Sequence, residues 1–517
     1  MSRFGAGAPT SARWDVRRMN DPNPLWGSNG VAFGPDGRLH VAQYLAGTIS
    51  AVDLATGEVE VVEPVEGPVQ SPDDLAFGAD GSMYITDLAP GRVWRRGPAG
   101  DYALVSDAVA VPNGIACVGD RLFVNEMRMG GRLLELFPGG GEPVALAGGL
   151  ALGNAMQQGP DGALYYPHML TNQVFRTPLD GGPAELVAED VHEPVAVRFD
   201  RDGVLHVVSR GAQGIVTRFD GDRRTLVTSG ILGLDNAAFD EENRMFVSSY
   251  ASGGIAELHP DGRTRQVVPR GLAGPYGLTV DFGGQVLAAD HYRVARPSPE
   301  GFTADEFLIF AHGVATTPDG HLHLTSQFGD VRTHDPATGE TTIRAHSLNR
   351  PTGIAVRPDG ALLVAETGAG RVLAITDEVA VLAEGLDSPV DVTVDDDGRC
   401  YATTATAVVR LDDTGPVVIA DDLAAPQGVA AIGDTLYVVE VGAKRLRSVS
   451  VATGETHVEV EDLAVGTPAP ASTTPPLYCH GMPGVAPQFA GLAAGGDGTL
   501  FLSANGEGTV LHLRPRA

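Results

Sequence analysis

Five side chains in the first half of the sequence could together hold a hard cation: Asn29, Asp73, Asn113, Asn154 and Asp235. Each offers a carboxylate or amide oxygen, the donor that Ca²⁺ and Mg²⁺ require and that Mn²⁺ and Zn²⁺ also accept. Asn and Asp also form turns by bonding nearby backbone. The weight of the set lies in its phase, because each residue occupies the same place in a recurring phrase. A second set closes the segment that follows: Glu126 and His168 could move protons, histidine near neutral pH and a carboxylate beside a metal-bound water. Arg210 could pair with a substrate carboxylate. Tyr44 and Tyr250 stand next to the second set and complete a candidate substrate-binding group. The second half offers Asp290, His291 and His312, a looser group whose plainer reading is polar loop ends filled with water. No phosphate-binding loop, HExxH or GxSxG occurs. Cys479–His480 is a poor nucleophile pair, since adjacent residues rarely reach one another productively.

These residues can meet only if the chain brings distant, equivalent positions together. The phrase is a small or polar residue, an apolar alternation, a (P)DG turn and a second alternation. NGVAFGPDGRLHVAQY (29–44), DDLAFGADGSMYITDL (73–88) and HGVATTPDGHLHLTSQ (312–327) are three of about twelve instances. Their spacing of about forty residues suits a propeller blade. Each unit predicts four short strands, with DG supplying the positive φ of a tight hairpin. Period-2 alternation without helical spacing excludes an α-solenoid. One twelve-bladed ring would leave a hole no side chain could fill, so the expectation is an all-β protein of two six-bladed β-propellers. A simple division gives a segment 1–28, a first ring over 29–272 and a second over 273–517. The last repeat lacks an outer strand, which residues 12–19 could supply. In that arrangement the first and last repeats would share a ring with the other inserted between them. Residues 461–489 form a Pro-rich insertion, read as an extended loop.

The apolar fraction of 43% supports packed cores, and 67 Gly with 36 Pro fit many turns. The formal charge of −29 disfavours nucleic acid and anionic membranes as partners. Three scattered cysteines make no disulfide framework. No apolar leader or spanning stretch is visible, so the expectation is a cytoplasmic protein with a small-molecule substrate.

The phrases VPNGIACVGDRLFVNEM (111–127) and RPTGIAVRPDGALLVAET (350–367) resemble the SMP-30/gluconolactonase/LRE-like superfamily and its NHL-repeat neighbours. The resemblance implies a site on the propeller axis with one divalent metal held by carboxylate and amide oxygens. Asn113 matches the family's PNG phrase, and Asn154 and Asp73 match by position. The family's initial glutamate has no counterpart at Ser28–Asn29. The leading expectation is a metal-dependent hydrolase of a lactone or related ester. A lyase or cyclase of a natural product would differ by adding no water to its product. A non-catalytic NHL-type scaffold for a protein partner would instead show a large exposed apolar patch.

Overall fold

In a computed structural model, the described residues are 3, 8–298, 301–412, 414–466, 478–479, 482–483, 487 and 489–516. Alternating apolar residues make strands throughout, and among the described residues there is no α-helix, only two short 3₁₀ turns. No helix among them is long and apolar enough to cross a membrane. The (P)DG turns behave as their chemistry requires. Gly37 (φ 77°) and Gly81 (φ 79°) take the left-handed conformation that closes each hairpin.

The described residues fall into two compact units. The first is drawn from Pro24–Arg270 and Pro470–Val485, the second from Met1–Asn23, Gly271–Ala469 and Ala486–Ala517. Six four-stranded antiparallel sheets follow one another through Val31–Val268 of the first unit. Each sheet buries its faces against its neighbours. Tyr84 and Val93 of the second pack with Ile115, Val124 and Leu134 of the third. The series closes, because Val31, Leu39 and Val41 of the first sheet pack with Phe246, Ile255 and Val268 of the sixth. The second unit closes in the same way, through Leu278 and Val286 against Ala493, Phe501 and Val510. Radial stacking thus gives every sheet two covered faces.

At several junctions the first strand of a sheet bonds the next one round the ring. Gly30 N–H donates to Asp73 O at 2.7 Å, and Gly353 N–H to Val390 O at 2.9 Å. A side chain on Gly30 would collide with Asp74, and one on Gly353 with Asp391. That close approach explains the small residue in the phrase.

Two details depart from twelve uniform blades. Val286–Ser298 and Gly301–Thr316 are long strands that join the repeats at 276–291 and 312–327 into one six-stranded sheet. The segment ADHYRVAR lacks the Gly-containing loop found in TDLAPGRVW, so the chain runs on without a break. The last sheet takes its outer strand from Trp14–Arg18, which pairs antiparallel with Thr509–Pro515 from Trp14↔Pro515 to Arg18↔Leu511. Trp14 is 4% exposed among Val439, Leu446, Val460 and Leu513, and its indole N–H donates to Glu459 Oε2 at 3.0 Å. Residues 1–23 belong with the second unit. The first repeat stays in the first unit, so the first and last repeats do not share a ring. Most of the 461–489 insertion, including His480, lies outside the described residues.

Candidate active site at the first strands of the first unit

The repeat places each leading residue at the start of a first strand, beside its counterpart in the next sheet. Asp73 is 8% exposed, in Pro72–Phe77, and Asp235, half-buried, is in Leu234–Phe239. Burial, and then the charge of Asp74, pushes the Asp73 carboxyl far above the usual range. Burial, then Asp73 and Asp74, does the same to Asp235, against the opposing charges of Arg198 and Arg210. Three acids therefore crowd one region.

Asn113 and Asn154 converge on one sulfur. Their Nδ2 groups lie 3.0 Å and 3.7 Å from Met127 Sδ. Asn113 Oδ1 is buried with no hydrogen-bond partner. Asn154 Oδ1 accepts from Ala155 N–H at 2.7 Å, and Asn29 Oδ1 from Tyr44 N–H at 3.3 Å. Tyr44 is itself buried. Tyr250 is buried, and burial raises its phenol, with Arg210 opposing and Asp235 and Glu193 adding to the rise. Arg210 lies 3.6 Å from Glu193. Asp235, Tyr250, Arg210 and Glu193 thus form one electrostatic group.

The second set of proton carriers fares differently. Glu126 is not a general acid or base, because its carboxylate is fully committed. It is buried, and burial would raise it, but Arg132 and the Ala110 N–H outweigh that and hold it below its ordinary value. Arg132 Nη2 donates at 2.5 Å, Arg128 Nη2 at 3.2 Å, Ala110 N–H at 3.1 Å and Arg132 N–H at 3.1 Å. The same clamp recurs through the chain. Asp87 accepts from Ser71 N–H at 2.7 Å, Glu366 from Asn349 N–H at 2.7 Å, and Glu440 from Ala424 N–H at 2.8 Å. The acid ending the second strand thus pins the loop that leads into its own sheet. Asp290 does so too, through Gly274 N–H at 2.5 Å and Arg293 Nε at 2.6 Å. His291 and His312 are buried, bonded to Gln327 (2.7 Å) and Pro487 O (3.0 Å), and do not line a water-filled loop end.

His168 is buried against Phe175, ring centroids 4.4 Å apart, and Tyr166, and burial lowers it to about 4. It is a neutral imidazole at pH 7, with Nε2 lacking a hydrogen bond.

Three site residues escaped the sequence reading: Asp74, Asn236 and Arg198. Asp74 Oδ1 accepts from Asn236 Nδ2 at 3.2 Å, and Arg198 Nη2 donates to Asn236 Oδ1 at 2.5 Å. Burial raises Asp74 to about 6, with Arg198 the largest opposing influence. The signal was present in the sequence. The slot after the leading residue is Gly or Ala in every phrase except at Asp74, Asn236 and Asp391.

The donors suit a hard divalent ion. Asp73, Asp235 and the unpartnered Asn113 Oδ1 are all oxygens, and a cation would relieve the mutual repulsion of the acids. Among the described residues no three His, Cys, Asp or Glu side chains are grouped to hold a metal, so amide oxygens would have to contribute.

No family model matches the chain. A gluconolactonase of Zymomonas mobilis subsp. mobilis is 33% identical over 118 residues, 19% of this chain and 33% of that protein. The chain therefore spans a third of the length of the curated relative it matches. Among solved structures, a gluconolactonase from Xanthomonas campestris is 17% identical, covering 47% of this chain and 95% of that one at a TM-score of 0.39. A calcium-binding regucalcin from Agrobacterium tumefaciens is 20% identical, covering 46% and 85% at 0.37. A streptogramin B lyase is 18% identical, covering 53% and 94% at 0.39. The sheet pattern and the recurring phrase make this chain a β-propeller protein, similar over a fragment of its length to a gluconolactonase.

Proposed function

We propose that the first unit hydrolyses a lactone or related ester with the help of a divalent cation. The observation that carries this reading is the crowding of Asp73 and Asp235 together with the unpartnered Asn113 Oδ1. Asp73, Asn113 and Asn154 would hold the ion, with Asp235 and Asn29 beside them. A bound divalent ion supplies polarisation of an ester carbonyl and a more acidic water. Asp235 is half-buried beside these residues, and once a cation's charge has released its own proton it could take one from water and return it to the leaving oxygen. Arg210 and Tyr250 adjoin Asp235 and would orient the substrate. His168 packs on aromatic rings and is the alternative proton carrier.

The test is a panel of lactones and aryl esters offered to chelated protein, then to protein resupplied with Ca²⁺, Mg²⁺, Mn²⁺ or Zn²⁺. Hydrolysis should vanish with chelation and return with one of the ions. Asp73→Asn should lower kcat/KM by about a hundredfold or more while the far-UV spectrum is unchanged. An Asp73→Asn protein as active as the parent would end this reading.

A further inference from the structure

We infer that the second unit has a binding site of its own, for an alkylguanidinium or alkylammonium cation, in the cavity enclosed by its six first strands. That cavity measures about 720 Å³, within the range of small-molecule sites. Leu278, Val314, Ile354, Val392, Val429 and Leu492, one from each first strand, line it. Phe489 also lines it, and packs against Tyr276. Asp391 is the buried carboxylate of this lining, which also includes the half-buried Arg357 and Asp395 and the exposed Asp396.

The first unit shows what Asp391 lacks. Asp74 and Asp391 occupy the same place in their repeats. Asp74 accepts N–H bonds from Leu75 at 2.9 Å and Ile115 at 3.3 Å, and Asp391 from Val392 at 2.9 Å and Val429 at 3.0 Å. Around Asp74 the space is filled by Arg198, three strands further round the ring, and Asn236, four strands further. The same steps from Asp391, at the same residue along each strand, lead to Thr279 and Gly313. Both line the cavity. The void therefore corresponds to the space that an arginine and an asparagine occupy in the other ring.

The acceptors that Arg198 uses have counterparts in the second unit. Arg198 donates to the carbonyls of Ala237, Met156 and Val197 at 2.8–3.0 Å. Their counterparts in register are Val314, Leu492 and Leu278, all at the cavity wall. Each Asp391 oxygen can accept a further hydrogen bond, and a planar guanidinium fork matches a carboxylate. Burial raises Asp391 to about 7, opposed only by the Val429 and Val392 N–H groups, whereas Asp74 has Arg198. The apolar walls would accept the ligand's alkyl chain.

Calorimetric titration of the full chain with n-butylguanidinium, and with 1-pentanol as the neutral analogue, tests this. The cation should bind with one-to-one stoichiometry, and the alcohol at least about tenfold more weakly. Asp391→Asn should weaken cation binding by a similar factor. Thr279→Arg should fill the cavity from within, abolish binding and raise the melting temperature. A parent protein that does not bind the cation, or a Thr279→Arg protein that binds as tightly as the parent, would overturn the proposal. Should Asp391→Asn fail to fold, Thr279→Arg decides alone. Its retained Asp73 and Asp235 also separate this site from any cation binding in the first unit.

Discussion

Proton affinity at Asp73 makes the first unit's stability depend on pH. Its carboxyl is raised from 3.8 to about 8. Between those values the folded chain holds a proton that the unfolded chain has released. This contribution to stability is therefore present below the lower value and is lost as pH rises through the upper one. A divalent cation replaces the proton, so the melting-temperature gain on adding Ca²⁺ should be larger at pH 9 than at pH 6. Thermal melts at the two pH values check this, and equal gains would argue that the ion is not held by Asp73. Glu126 belongs to stability. Replacing it with alanine strands the Ala110 and Arg132 N–H groups and should cost about 2 kcal/mol, leaving kcat/KM for any hydrolysed ester unchanged. Urea unfolding of Glu126→Ala beside the parent measures that cost.

The difference between Asp73 and Glu126 shows what could be read from residue types. The phrase marked every first strand, so residues leading it could be expected to face one another. Glu126, Asp87, Glu366 and Glu440 also recur in phase, but their phase serves the loop clamp. Distinguishing the two uses needs the positions of backbone N–H groups, which residue type does not encode. Asp74 could have been found by asking which phrase breaks the small-residue rule. Arg198 could not, because its reach across the ring depends on how many strands close it.

At the scale of elements, the closing strand Trp14–Arg18 carries a large share of the last sheet. It covers Thr509–Pro515, and Trp14 fills a space between the last two sheets. Trp14→Ala should destabilise the second unit by about 3–4 kcal/mol through the cavity and the lost hydrogen bond to Glu459 Oε2. Calorimetry should show a lowered transition for that unit and an unmoved one for the first. A single transition shifted as a whole would mean that the units melt together. The missing outer strand of the last repeat made this strand legible. The merging of Val286–Ser298 with its neighbour was less so, because it follows from a missing loop and no residue marks it.

At the scale of the molecule, one repeat has been used in two ways. In the first unit the ring's axis holds Arg198 and Asn236 against Asp74. In the second it holds a cavity. Ligands for the two units should therefore move separate calorimetric transitions, Ca²⁺ the first and n-butylguanidinium the second.

The pairing of Trp14–Arg18 with Thr509–Pro515 also sets an order of events during synthesis. The earlier strand leaves the ribosome about 25–100 s before its partner, at common elongation rates. All six sheets of the first unit are made in that interval. The second unit can be sealed only by a strand that has waited unpaired through the birth of the other, so a nascent chain halted before residue 509 should hold a finished first ring and an open second one.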